Sequence, residues 1–336
     1  MVDDNFYMDI CLNKAWNYQG LTYPNPAVGS LILDNNNKII SIAAHKEAGK
    51  GHAELNVISK ALEIFGDTTI STITNPSKKH QYILDNHDGK FINFTIYVTL
   101  EPCNHTGSTP PCSALIKELG FKKIVIGSLD PHDKASGGAN LLEQHGINVK
   151  TGVLKDRCQQ LIEPFKKWQQ NKPYTFFKLA ITKNGVYTGG TISSKDSRVH
   201  VHKLRDKIDL LVIGGNTVRV DRPTLDCRLI KDGKAPDVLI YSKSDDFDKN
   251  IQLFKVKNRK VFIEDNFDKV ANYKFVMFEG GEGLFQKCAG MVDSFLIYQT
   301  NFFKLGKSIE VDFKFKTLHT YQMKEDIITW YKRDEG

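Results

Sequence analysis

The sequence predicts an α/β protein built as two successive domains, each a sheet layered with helices. Three observations carry this. β-rich apolar runs alternate with segments of helical spacing along most of the chain, a rhythm that packs helices onto a sheet. At 336 residues with 40% hydrophobic content the chain is long for one core and sufficient for two. Asn171-Lys172-Pro173 breaks the pattern midway, because proline cannot donate to a continuing helix and holds the preceding residue extended.

Taken in order, residues 4–19 read as a helix that ends before Pro24-Asn25-Pro26. Residues 27–33 and 39–43 are apolar and β-rich, and Asp34-Asn35-Asn36-Asn37-Lys38 joins them as a hairpin turn. Leu55, Ile58 and Leu62 give residues 52–65 helical spacing, and residues 95–100 read as a buried strand. Between them, residues 66–93 are polar and charged and read as a surface insertion. A helix over 112–119, a strand over 123–129 and a helix over 139–145 follow, then one connecting helix over 156–170. Beyond Pro173, strands are expected at 174–182, 209–214, 237–241, 260–264, 274–278, 294–300 and 327–331. No G-x-G-x-x-G fingerprint accompanies them. The domains are therefore 1–150, a connector over 151–172, and 173–336.

Composition narrows the function. No run approaches the roughly 18 apolar residues of a membrane span, and Asp3 and Asp4 stand where a signal peptide is basic, so a cytoplasmic protein without membrane contact is expected. Six cysteines are too sparse for a disulfide framework, and Cys103 and Cys112 lie close together beside prolines, which suggests metal. The formal charge of +7 suits an anionic partner, but the Lys and Arg residues are scattered. A small phosphorylated molecule accounts for that charge without nucleic acid.

The chemistry-bearing set is His52-Ala53-Glu54, Glu101-Pro102-Cys103 and Pro110-Pro111-Cys112. One imidazole and two thiolates hold zinc firmly and leave a fourth position for water, whose pKa the ion lowers. Glu54, two residues from His52, need only reach that water and shuttle its proton to a departing amine. His52 and Cys103 are expected near helix N-termini, where the dipole favours thiolate. Each part alone is weak, since H-x-E arises by chance and a free cysteine is usually a small core residue. The joint pattern is the zinc-deaminase signature.

Those residues, with Pro24–Gly29 (PNPAVG), Gly51–Glu54 and the run YVTLEPCNHTGSTPPC over 97–112, resemble the bifunctional deaminase/reductase family of riboflavin biosynthesis. The eight residues between Cys103 and Cys112 differ from the C-x-x-C of cytidine and tRNA adenosine deaminases. The resemblance implies a cytidine-deaminase-like three-layer α/β/α domain, with zinc on His52, Cys103 and Cys112 and Glu54 as the catalytic proton shuttle. It places Asn25 and His45 in the substrate pocket, although a surface turn also explains His45. The 66–93 stretch departs from the family pattern.

The second domain resembles the partner reductase, with a dihydrofolate-reductase-like α/β fold, through Phe177-Lys178-Leu179-Ala180, GGNTVRVDRPTLDCR over 214–228, and Glu279-Gly280-Gly281. The resemblance implies NADPH as cofactor, contacted by Ala180, Thr191, Thr217, Asp221, Ser242 and Gly281. Lys243, just after the strand at 237–241, is by its position a candidate for the 2′-phosphate. The resemblance assigns substrate contacts to Arg205, Leu225, Arg228 and Glu279. Arg205 and Arg228 then hold a ribose phosphate by fork-shaped hydrogen bonds, or else are solvated surface arginines. The glycines after Glu279 either let backbone approach a pyrophosphate or make a tight turn of positive φ. Thr191 stands where the family has tryptophan.

The implied function is zinc-dependent deamination of 2,5-diamino-6-(5-phosphoribosylamino)pyrimidin-4-one, then NADPH-dependent reduction of the product's ribose, in a homo-oligomer (dimer or tetramer). Three alternatives are weighed against it. A tRNA or nucleoside deaminase requires C-x-x-C spacing and a basic groove, and neither is present. A deaminase-fold scaffold would lack Glu54 or a ligand, and all four are present. A deaminase joined to a degenerate nucleotide-binding module stays open, given the departures in the second domain.

Overall fold

The computed structural model describes residues 2–107, 109–131 and 136–334, so Ser108 of the cysteine-bearing run lies outside the described residues. Contacts divide the chain into two compact units, Met1–Gln169 and Gln170–Gly336.

In the first unit, α1 (Asp4–Trp16) is started by the Asp3 carboxylate, which accepts the Phe6 N–H at 3.0 Å. A hairpin follows, β1 (Gly29–Leu33) and β2 (Ile39–Ala44), whose turn is held by Asp34 accepting the N–H groups of Asn36 and Lys38. Then come α2 (Ala53–Ile64), α3 (Pro76–Asn86), β3 (Thr95–Leu100), α4 (Cys112–Glu118), β4 (Lys123–Ser128), α5 (Gly138–Gln144), β5 (Asn148–Thr151), α6 (Lys155–Leu161) and α7 (Glu163–Gln169). The sheet runs β2-β1-β3-β4-β5, antiparallel across β2, β1 and β3 and parallel from β3 to β5. Ile32, Ile96, Val98, Ile124 and Ile126 turn one face toward a core shared with α2 and α4. Helices α1 and α6 pack on the other strand faces, completing an α/β/α sandwich.

Residues 66–93, expected as a surface insertion, are mostly exposed or half-buried but carry a helix and a share of the core: Asn75 caps α3 with Pro76 in its first turn, and Ile70, Ile83 and Phe91 enter the core of α2 and α4. The connector is not one helix but two, α6 and α7, parted at Ile162.

In the second unit, β6 (Tyr174–Ile181), α8 (Lys195–Lys207), β7 (Leu210–Gly214), α9 (Gly215–Asp221), β8 (Asp237–Tyr241), β9 (Val261–Glu264), β10 (Phe275–Glu279), α10 (Glu282–Cys288) and β11 (Ser294–Gln299) precede a closing hairpin, β12 (Phe315–Met323) and β13 (Asp326–Arg333). The sheet order is β12-β13-β11-β6-β10-β7-β8-β9, parallel from β11 to β9 and antiparallel at the hairpin. Strand β12 is an element the sequence reading lacked. The parallel strands end together at Ile181, Gly214, Tyr241 and Glu279, the edge at which open α/β sheets take ligands.

Candidate functional site

Among the described residues, each unit carries a cavity built from strand ends and the helices that follow them. In the first, a cavity of about 290 Å³ is lined by His52, Glu54 and Cys103, with Asn25, His45 and Asp130 around them. His52 is the N-cap of α2, so Glu54 falls in that helix's first turn, and both line the cavity. Cys103 follows β3 after Glu101 and Pro102. Of the two cysteines it is Cys112, not Cys103, that occupies a helix N-terminus, as the first residue of α4. The expected position is met indirectly, because the Cys112 N–H donates to the Cys103 sulfur at 3.4 Å.

One nitrogen and two sulfurs converge. His52 Nδ1 lies 3.6 Å from the Cys103 sulfur and 3.4 Å from the Cys112 sulfur, and all three ligand atoms lie within 4.8 Å of one another. A tetrahedral ion with Zn–N of about 2.05 Å and Zn–S of about 2.3 Å places its N and S ligands about 3.5 Å apart. The donor set therefore fits zinc in both chemistry and span. The Cys112 thiol and the His52 ring, working against burial, pull the Cys103 thiol well below its ordinary pKa. Burial raises Glu54 to about 7, which leaves it poised to accept or return a proton near neutrality.

His45 is buried, which removes the surface-turn reading. The Gly51 carbonyl, 3.0 Å from Nδ1, can only accept, so Nδ1 carries the proton. Nε2 then accepts from the Asn25 amide at 3.2 Å. Burial lowers the His45 pKa to about 4, keeping the ring neutral. Asn25 is thereby fixed with its NH₂ toward His45.

A second carboxylate organises the rim. Glu101 is buried and accepts the N–H groups of Asp130, Gly137 and Ala139 at 3.0, 3.1 and 2.9 Å. A Cβ on Gly138 would stand 2.0 Å from the Pro102 carbonyl oxygen, so the start of α5 lies hard against the residue before Cys103.

The second cavity, of about 1110 Å³, lies at the parallel strand ends and is lined by Ala180, Thr191, Thr217, Asp221, Arg205, Glu279 and Gly281 among others. The β6–β10 register sets Lys178 opposite Glu279. Lys178 Nζ and Arg205 Nη2 reach the two Glu279 oxygens at 3.0 and 2.7 Å. Burial pushes the Glu279 carboxyl up, but those two cations outweigh it and hold the pKa at about 2. Arg205 Nε is buried without a hydrogen-bond partner, an unmet donor at this wall. Five Lys or Arg side chains against three carboxylates line the cavity, a balance suited to phosphates.

Several expected residues stand elsewhere. Ser242 is behind the wall: a Cβ on Gly215 would meet its side chain at 2.8 Å, and its hydroxyl bonds to Arg219 and Ser244. Lys243 is exposed and outside the lining. Leu225 is buried in a turn of φ 55°, pinned by Arg259 hydrogen bonds to the Thr224, Leu225 and Leu253 carbonyls. Arg228 pairs with Asp226 at 2.9 Å and is 58% exposed, so it does not join Arg205 in one fork. Gly281 has φ −89°, which removes the positive-φ turn; a Cβ there would instead stand 2.9 Å from the Tyr187 ring.

Residues 1–128 match the family model of the cytidine and deoxycytidylate deaminase zinc-binding region, and residues 173–307 match that of the RibD C-terminal domain. The riboflavin biosynthesis protein RibD of Actinobacillus pleuropneumoniae is 30% identical over 319 residues, a match covering 83% of this chain and 78% of that protein. The chain belongs to the RibD family. RibD of Synechocystis sp. is 35% identical over 232 residues, and the chain spans 56% of that protein's length; for RibD of Aquifex aeolicus it spans 60%. A solved deaminase/reductase of Thermotoga maritima superposes on this RibD-family chain with a TM-score of 0.64, at 25% identity and over 98% of both chains. The two RibD-family folds are thus the cytidine-deaminase-like sandwich and the RibD C-terminal α/β domain. Among the described residues no helix is long and apolar enough to cross a membrane.

The cavities also contain residues that the motifs did not indicate. Phe165 and Gln169 of α7 line the first, and Tyr187 and Lys307 line the second.

Proposed function

We propose that this chain deaminates 2,5-diamino-6-(5-phosphoribosylamino)pyrimidin-4-one in its first domain (1–150) and reduces the ribose of the resulting aminouracil with NADPH in its second (173–336). The observation that carries the reading is the triangle of His52 Nδ1 and two cysteine sulfurs with Glu54 at its side. Zinc bound by His52, Cys103 and Cys112 would lower the pKa of a water toward neutrality. Glu54 would accept that water's proton and pass it to the amine, which leaves as ammonia while the water oxygen stays on the ring carbon. Asn25, with its NH₂ committed to His45, presents its carbonyl oxygen to ring N–H groups.

The second cavity supports the reductase half through its size, its cationic balance and the unmet Arg205 donor. NADPH supplies a hydride for the sugar carbon. Ala180, Thr191, Thr217, Asp221 and Gly281 form its walls, while Glu279 contacts the substrate and Arg205 offers its buried, unpaired Nε to the sugar phosphate. We assign Arg228, Leu225 and Ser242 only indirect parts, through the turn and wall they stand behind. The protein works in the cytoplasm as a homo-oligomer, without nucleic acid or membrane.

One coupled assay tests this. Purified chain with zinc should release ammonia from the diaminopyrimidinone and then consume NADPH. Ammonia without NADPH consumption reduces the second unit to a binding module, and the absence of both overturns the reading.

A further inference from the structure

We infer that α7 is not a connector but a specificity-determining wall of the deaminase cavity, whose Phe165 and Gln169 recognise the sugar of the arm attached to the ring. The inference rests on the deaminase reading above. Helix α7 falls outside both stretches matched by family models, yet Phe165 and Gln169 line the same cavity as His52 and Glu54. They are four residues apart and so share one face of the helix.

A separate contact fixes that face. Trp168 is buried, and its ring meets the Tyr23 ring edge-on with centroids 4.6 Å apart. Tyr23 leads through Pro24 straight into Asn25, itself in the cavity. One aromatic contact therefore ties together the two chain segments that bring Asn25 and Phe165 to the same cavity.

Depth decides what α7 meets. Glu54 is 4% exposed, whereas Phe165 is half-buried and Gln169 exposed, so α7 stands at the mouth and Glu54 at the floor. The carbon that loses its amine must reach Glu54, which leaves the substituent projecting away from it at the mouth. That substituent is the phosphoribosylamino arm. A phenyl ring packs on the C–H face of a sugar, and a primary amide both donates to and accepts from its hydroxyls. Neither side chain carries charge, so the pair reads the sugar and not the phosphate.

The test compares full-chain zinc enzyme with Phe165→Ala and Gln169→Ala, on the phosphoribosylated substrate and with the bare ring, 2,5,6-triaminopyrimidin-4-one, as a competitive inhibitor. Phe165→Ala should raise KM for the armed substrate about tenfold, with the loss concentrated in KM and not in kcat. Gln169→Ala, exposed and without a packing role, should raise it about threefold. The bare-ring Ki should move by less than about twofold in both. Equal losses on armed substrate and bare ring, or no change on either, overturn the inference. If wild-type enzyme releases no ammonia at all, the deaminase reading itself fails and this inference falls with it.

Discussion

Cys112 donates its backbone N–H to the sulfur of Cys103, 3.4 Å away, across the eight residues that separate them. The loop thus returns on itself so that the start of α4 faces the sulfur after β3. The wide cysteine spacing costs nothing in ligand geometry, because both sulfurs still lie within 3.6 Å of His52 Nδ1. A second effect follows: one backbone amide ties the two ligands to each other before any metal arrives.

Cys112→Ser removes a ligand and leaves that amide in place. Metal analysis of the purified variant should find less than about a tenth of the wild-type zinc, since one missing thiolate opens a three-ligand site. Chelation of the wild type should lower its melting temperature by several degrees through lost binding energy, roughly 2–4 °C per kcal/mol for a domain this size. The variant should show no such response. A variant that keeps full zinc would remove Cys112 from the ligand set.

Glu54→Gln keeps the shape of the side chain and abolishes its proton traffic. Ammonia release should fall at least about 100-fold while zinc content stays at the wild-type level. Loss of zinc together with activity would make Glu54 a structural support of the site and not its shuttle.

What the sequence made legible was what is local. His52 and Glu54 share one helical turn, and Leu55, Ile58 and Leu62 announce that helix by spacing alone. Helix α3 was hidden because only Ile83 and His80 of its eleven residues are buried, so its polar face dominates the pattern despite the Asn75-Pro76 start signal. Strand β12 was hidden likewise: an edge strand with Lys316, Thr317 and Thr320 turned outward does not alternate cleanly. Phe165 joins the cavity through tertiary packing of Trp168 on Tyr23, which no short-range signal encodes. In the second unit, resemblance placed Leu225 and Arg228 in the site, but the Arg259 clamp on their turn decides where those side chains go.

Glu101 should matter more for the substrate than for the metal. Its carboxylate accepts the N–H of Asp130, which lines the cavity, and those of Gly137 and Ala139 at the start of α5. Glu101→Ala leaves those donors without their acceptor at a cost of roughly 2–4 kcal/mol in stability. Denaturant unfolding should show that loss. Ammonia-release kinetics should show a higher KM, with zinc content near that of the wild type. A variant with normal KM would confine Glu101 to the fold.

The Glu279 ion pairs should make the second unit sensitive to acid in a defined window. Lys178 and Arg205 hold the folded pKa at about 2, against an ordinary value of 4.5. The folded form therefore binds its proton more weakly than the unfolded chain does. Stabilisation is complete above about pH 4.5 and drains away as the pH falls toward about 2, where both forms are protonated. A shift of that size corresponds to about 3 kcal/mol. Glu279→Gln forgoes that stabilisation and leaves two buried cations without a counter-charge. Denaturant unfolding should separate wild type and Glu279→Gln widely at about pH 6, and the gap should narrow steadily below about pH 4.5. If the gap is the same at both ends of that range, the Lys178–Glu279–Arg205 bridge does not set the acid stability of this unit, and the low carboxyl pKa is wrong.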